Sequence, residues 1–480
     1  METLANFING QFSDPNSGNY LDVFEPATGQ VYARVPDSNG HDVNTAIEAA
    51  EKASYDWSVT SSEERAGLLH KIADGIETRL DKLAEYESRD TGKPLSLAKT
   101  VDIPRAVTNF RFFADLVLEH ETEEILDGQG SVNRIIRQPL GIVGCISPWN
   151  LPLYLFTWKI APAIASGNCV IGKPSELTPY TAFKLGEICQ EAELPNGVLN
   201  IVQGSGINAG SAIVSHSKIK AVSFTGGTKT GETISREAAP EFKKLSLELG
   251  GKNPNIIFAD CDFDSMLETT IRSSFSNQGE ICLCGSRIFV EETIYDTFRD
   301  AFVERSQSLN VGDPNDEKTD MGALISKGHL AKVTGYIDLA KEEGGTILTG
   351  GENADVNGRC NDGYFVEPTV IDGLSADCRT NQEEIFGPVV SLIPFSSEDE
   401  VIAMANSTQY GLSASIWTED KTKADRVARQ LDSGVVWVNC WMVRDLRTPF
   451  GGMKNSGVGR EGGLEAFEFF KEQKNICRIQ

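Results

Sequence analysis

The sequence predicts an α/β fold with two doubly wound parallel sheets. Three observations carry this expectation. From Gly141 onward, short apolar runs (Ile142 to Ile146, Cys169 to Ile171, Leu199 to Val202, Ala221 to Phe224) alternate with helically spaced apolar residues, as in a parallel sheet covered on both faces. A second alternating block starts near Asn255 and continues through Ile256 to Phe258, Arg287 to Val290, Val389 to Ile393 and Val435 to Val438. Gly250-Gly251 stands between the blocks without a long linker, so two domains meet at a tight hinge.

The N-terminal stretch reads as short strands turning at Asn9-Gly10, a hairpin dipeptide. Helices follow over about Asp42 to Trp57, Glu63 to Arg89 and Phe110 to Leu118, where apolar residues recur at helical spacing. The tail, Lys474 to Gln480, alternates as a strand does and has no obvious partner nearby in sequence; it is expected to pair between subunits.

A chain of 480 residues with 40% hydrophobic residues can bury several cores. Its net charge of -25 argues against nucleic-acid or anionic-membrane partners, which require clustered Lys and Arg. An anionic substrate would then need a local basic pocket. The most apolar stretch, Leu140 to Gly172, is broken by Pro148, Pro152, Pro162, Asn150 and Lys159, and reads as buried fold rather than membrane span. Met1 to Ser13 has no signal-peptide character, so a cytoplasmic location is expected. The 10 cysteines show no C-x-x-C pair and share no cluster with any of the 5 histidines, so neither a metal site nor a disulfide framework is expected.

Cys282 lies in a glycine-flanked polar segment, Asn277 to Arg287, and is a candidate nucleophile if its pKa is lowered; Cys284 is its rival, and a buried filler is the alternative for either. No histidine neighbours the glycine-rich segments in sequence, so the base should be a carboxylate. Glu248 ends an apolar strand before Gly250-Gly251; burial would raise its pKa toward that of a general base, unless it pairs with Lys243 or Lys252. The loop Phe224 to Gly231 follows a strand and opens a helix, where free N–H groups favour a phosphate. Lys173 and Glu176 sit at another strand end, placed to meet a nucleotide ribose.

Taken together and in order, these segments resemble the aldehyde dehydrogenase superfamily over nearly the whole chain. The matching pieces are Ser147-Pro148-Trp149-Asn150, Lys173 to Glu176, Phe224 to Gly231, Leu247 to Gly251, the Cys282 loop, Glu384 to Pro388 and Pro449 to Gly452. The resemblance implies an aldehyde dehydrogenase-like fold and NAD-dependent oxidation of an aldehyde to its acid through a thioester. It implies Cys282 as nucleophile, Asn150 as oxyanion-stabilising amide and Glu248 as general base. It also implies that Lys173 and Glu176 hold the adenosine ribose, that Gly226 to Gly231 follow the pyrophosphate, and that Glu384 and Phe386 hold the nicotinamide half. Ile146, Ser147, Pro148, Trp149, Ser175, Gly206, Phe224, Thr225, Gly227, Thr228 and Leu249 complete the implied cofactor site. Gly227 departs from the family's frequent serine, removing one hydroxyl from the phosphate.

The same resemblance divides the chain into an NAD-binding unit (1–118 and 140–250), a catalytic unit (251–447) and bridging segments (119–139 and 448–480) of a homodimer or homotetramer. Around Val101 to Arg105, Asn150 to Lys159 and Cys440 to Arg444 the chain is most similar to the branch of 2-aminomuconic and 2-hydroxymuconic semialdehyde dehydrogenases. That implies Arg105 and Arg444 as clamps for a remote substrate carboxylate; in a broad-range or betaine-type enzyme they would be ordinary ion-pair residues.

Overall fold

The computed structural model describes residues 1–120, 123–128 and 130–479. Its first large sheet has the strand order Gly457–Val458, Lys244–Glu248, Ala221–Thr225, Ile142–Ile146, Cys169–Lys173, Leu199–Ile201, Asn6–Ile8, Gln11–Ser13. The five strands from Lys244–Glu248 to Leu199–Ile201 are parallel, and the flanking ones run antiparallel. Chain order reverses between Ile142–Ile146 and Ala221–Thr225, which opens a crevice at their carboxyl ends. Ser147 to Asn150 and Gly226-Gly227 leave the sheet there. Every residue of Ile142–Ile146 and Cys169–Lys173 is buried, as is every residue of the intervening helix Pro152–Ala165 except Leu155. The long apolar stretch is therefore sheet and covering helix, and among the described residues no helix is long and apolar enough to cross a membrane.

The second sheet runs Thr346–Thr349, Thr369–Asp372, Val389–Phe395, Arg287–Glu291, Pro254–Ile257, Ser413–Trp417, Val435–Val438, parallel except for Thr346–Thr349. Gly250-Gly251 connects the two sheets and admits no side chain: a Cβ at Gly250 would stand 2.5 Å from Glu384 Oε2, and one at Gly251 2.7 Å from the Cys282 carbonyl oxygen.

Several expectations need correction. The tail has a partner within its own chain: Lys471–Ile479 pairs antiparallel with Ser131–Pro139, and Glu123–Gly128 completes a three-stranded sheet in which the tail is an edge strand. Gln480 and residues 121, 122 and 129 of the expected bridging segments lie outside the described residues. The segment 448–480 divides between two sheets, because Gly457–Val458 pairs with Lys244–Glu248 at the edge of the first. The helix expected over Glu63 to Arg89 is two, Ser62–Glu77 and Leu80–Thr91, broken at Thr78 and Arg79. The one expected from Phe110 begins at Ile103, directly after a π-helical turn, Ala98–Asp102.

Candidate active site

The crevice holds a cavity of about 240 Å³ lined by Pro148, Trp149, Asn150, Leu155, Thr225, Gly226, Gly227, Leu249, Gly250, Cys282, His329, Lys332, Glu384 and Phe386. A second, of about 530 Å³, is lined by residues including Ile146, Glu176, Gly206, Phe224, Lys229 and Thr230. The turn after Ala221–Thr225 thus contributes to both.

Cys282 follows a strained approach. Asn277 and Gln278 hold φ of 52° and 56°, an unfavourable region for residues with a Cβ, and both are buried. The loop is then pinned by Asn253, whose Nδ2 donates to the carbonyls of Cys282 (2.7 Å) and Cys284 (2.9 Å). No acceptor among the described residues takes the Cys282 N–H. Cys282 lines the cavity, whereas Cys284 packs with Ile281, Leu283, Leu412, Trp437 and Trp441. Burial pushes the Cys284 thiol up to about 12. The condition of a lowered pKa is not met by the protein's own groups: burial pushes the Cys282 thiol up, Glu384, Glu248 and Cys284 push the same way, and the Arg444 charge opposes them. The group rests as a thiol.

Glu248 pairs with neither suggested lysine. Lys243 Nζ donates to the Val214 and His216 carbonyls, both at 2.6 Å, and Glu248 Oε1 is buried without a hydrogen-bond partner. Burial holds its carboxyl well above the usual range; the neighbouring Glu461 adds to this, while Lys159, Arg444 and Arg460 oppose it. Glu461 is tied to Lys159 Nζ at 2.7 Å, and Ser223 Oγ donates to it at 3.2 Å. Asn150 is buried beside Cys282, and its Nδ2 donates to the Glu280 carbonyl at 2.8 Å.

The cofactor-binding expectations can be tested against polar atoms that have no protein partner. The helix Thr228–Ala238 begins at Gly227 with no side-chain cap, which leaves its first N–H groups free for an anion. Around it, the hydroxyls of Ser147, Thr225 and Thr228 are buried and unpartnered. Glu176 receives Lys173 Nζ at 3.0 Å and the Gly206 N–H at 3.3 Å. Burial would raise the Glu176 pKa, but these partners outweigh it and the carboxyl falls below its ordinary value. An ionised acceptor at one end and bare donors in the middle fit a dinucleotide. Gly231 serves differently, by packing: a Cβ there would meet Leu249 Cδ2 at 2.5 Å. The Ser175 hydroxyl accepts the Leu177 N–H at 3.3 Å in a local turn, which leaves its own O–H to donate.

Arg105 and Arg444 converge on one ring. Their guanidinium carbons lie 5.3 and 5.8 Å from the Tyr154 centroid, and Arg444 also donates to the Tyr154 hydroxyl. Arg444 is further enclosed by Trp158 (4.9 Å) and Phe450 (4.4 Å). Neither arginine has a carboxylate partner among the described residues; Asp445 pairs with Arg447 instead.

Three cavity residues escaped sequence reasoning, Leu155, Lys332 and His329. His329 is remote in sequence but stacks edge-on with Trp149, and its Nε2–H donates to the Phe386 carbonyl at 2.6 Å. Burial lowers its pKa to about 4, so the imidazole is neutral and already committed. Phe386 itself holds a φ of 62°. No local motif announces this helix, Lys327–Glu342, as part of a site.

The aldehyde dehydrogenase family profile matches residues 12–476. The chain belongs to the aldehyde dehydrogenase family. It is accordingly an NAD-using enzyme that oxidises aldehydes. A 2-aminomuconic semialdehyde dehydrogenase of Danio rerio is 52% identical over 98% of this chain and 97% of its own. A 2-hydroxymuconic semialdehyde dehydrogenase of Pseudomonas sp. (strain CF600) is 47% identical over 99% of both. The solved NAD+ complex of an aldehyde dehydrogenase from Bacillus cereus superposes with a TM-score of 0.96 at 38% identity, covering 99% of this chain and 96% of that one.

Proposed function

We propose that this dehydrogenase acts on semialdehydes that carry a carboxylate remote from the aldehyde, of the 2-aminomuconic or 2-hydroxymuconic kind. The observation that carries the reading is the pair Arg105 and Arg444, two cations on one tyrosine without a carboxylate of their own in a chain of net charge -25. Buried or half-buried guanidinium groups call for an anion, and a planar donor fork matches a carboxylate. Relatives named for such semialdehydes support it.

In the proposed chemistry, the Cys282 thiol gives up its proton to water as its sulfur bonds to the aldehyde carbon, and the carbonyl π pair moves onto the oxygen. The Asn150 amide and the unpaired Cys282 N–H receive the oxygen as it takes up charge. Bound NAD supplies the hydride acceptor. Lys173 and Glu176 hold its adenosine ribose, the bare helix start at Gly227 its phosphates, and Glu384 and Phe386 its nicotinamide half. Glu248 takes a proton from the water that opens the thioester, and its raised pKa suits it to release that proton again. The units 1–118 with 140–250 and 251–447 are assigned to cofactor binding and catalysis. A second copy of this chain would cover the exposed Ile125, Leu126, Ile476 and Ile479 of the three-stranded sheet.

The test compares kcat/KM for aldehydes of equal length ending in a carboxylate, a neutral group or a quaternary ammonium. The carboxylate should be favoured by about 10-fold or more, the worth of one charge-assisted hydrogen bond. Equal rates would indicate a broad-range enzyme, and preference for the cation a betaine-type one.

A further inference from the structure

Beneath Asn150 lies a buried ionic cluster that the chemistry above leaves unused. Lys93, Glu87 and Asp102 are each 0% exposed. The Lys93 ammonium pairs with Asp102 and donates to the Asn150 main-chain carbonyl at 2.9 Å. Asp102 closes the π-helical turn Ala98–Asp102, and the helix bearing Arg105 starts at the next residue. Glu87 accepts the Leu153 N–H at 3.2 Å, at the start of the helix bearing Tyr154. The Asn150 carbonyl receives a second, longer bond from Asn277 Nδ2 (3.3 Å).

The side-chain amide of Asn150 has two N–H bonds, and one is spent on the Glu280 carbonyl. The other remains for the cavity, so its aim depends on how firmly the Asn150 backbone is held. Ionisable groups so deeply buried are costly, and apolar residues could fill the space. What apolar residues cannot do is grip a main-chain oxygen with a charged donor. A π turn is a common device at functional sites, and here it brings the counter-ion to the lysine.

We propose that Lys93, seated by Asp102, is a positioning residue that fixes the Asn150 backbone so that the free amide N–H meets the developing oxyanion. Lys93 touches neither substrate nor cofactor in this scheme. The inference rests on the reading of Asn150 as an oxyanion donor, and the experiment separates the two.

Lys93→Gln/Asp102→Asn removes the paired charges together and leaves Glu87, which keeps its bonds to the Leu153 N–H and the Thr181 hydroxyl, as the cluster's remaining ionisable group; Lys93→Met is the second variant. Each is made in the native chain and in Asn150→Ala, with NAD affinity, thermal unfolding, KM and kcat measured. Small misplacement of a catalytic group costs on the order of 100-fold, so kcat should fall about 10- to 100-fold in the native background. KM for the aldehyde and NAD affinity should stay within about 2-fold, and in Asn150→Ala the same changes should lower kcat by less than about 2-fold, because coupled sites are not additive. Equal losses in both backgrounds, or an unchanged kcat, would overturn the proposal. So would loss of NAD binding or of cooperative unfolding in both variants, which would make the cluster a support of the fold alone. Should Asn150→Ala by itself leave kcat intact, it is the oxyanion reading that fails.

Discussion

Replacing Arg444 with methionine separates two duties proposed for this side chain. Its guanidinium is expected to bind the remote carboxylate, and its charge also opposes the rise in pKa of both Cys282 and Glu248. Losing a charge-assisted hydrogen bond costs about 1.5 to 3 kcal/mol, or roughly 10- to 150-fold in kcat/KM for a semialdehyde acid. A neutral aldehyde of equal length escapes that loss but not the second effect. With the opposing cation gone, thiol and carboxyl both ionise at higher pH, so the pH profile on the neutral substrate should move toward alkali. Arg105 is not among the charges that act most strongly on either group, so Arg105→Met should lower the acid substrate's kcat/KM with little movement of the neutral profile. Steady-state kinetics across pH on the two substrates with both variants is the assay. A uniform fall on both substrates with Arg105→Met, or an unmoved neutral profile with Arg444→Met, would refute the reasoning.

Glu248→Gln should retain a burst of one NADH per site while steady turnover falls roughly 100- to 10,000-fold, the usual worth of a general base; stopped-flow absence of the burst would move its role to acylation. In the native enzyme, thioester hydrolysis should accelerate as pH rises, because a base with a raised pKa works only once it has lost its proton. Cys282→Ala should abolish activity and Cys284→Ala should leave most of it, since of the two only Cys282 lines the cavity beside Asn150; equal losses in the two purified variants would misplace the nucleophile. Glu176→Gln should narrow the preference for NAD over NADP, because an ionised Glu176 repels a 2'-phosphate; an unchanged ratio of kcat/KM values would remove that contact.

Much of the site was legible because it sits where local sequence changes character. Glu248, Asn150 and the turn after Phe224 each mark the end of a buried strand, and strand ends are visible as apolar runs stopping at polar or glycine residues. His329 and Lys332 were invisible for the opposite reason: they open a surface-type helix whose periodicity reports only its buried side, Val333, Ile337 and Ala340. The break at Thr78 and Arg79 leaves the apolar spacing nearly in phase, so two helices read as one. The Lys93 to Asp102 pair spans a π turn, which has no composition signature. The tail's partner lies over three hundred residues away at Ser131–Pro139, and alternation alone does not say which edge a strand will join. The direction of the thiol's pKa shift was not legible because it depends on desolvation, a property of the assembled cavity.

The late strand Gly457–Val458 gives the chain a particular order of assembly. Until it emerges, Lys244–Glu248 is an open edge of a parallel sheet, and the Glu248 carboxylate lacks the cover of Gly451 and the neighbouring Glu461. During synthesis the first two hundred and fifty residues can therefore collapse into most of a domain, yet they carry a sticky strand for the whole time the second domain is being made. The upward push of Glu461 on the Glu248 carboxyl comes only when the last few dozen residues dock. A chain truncated before Gly457 should accordingly be both inactive and prone to edge-to-edge association, and the cost of that exposure falls on folding rather than on the finished enzyme.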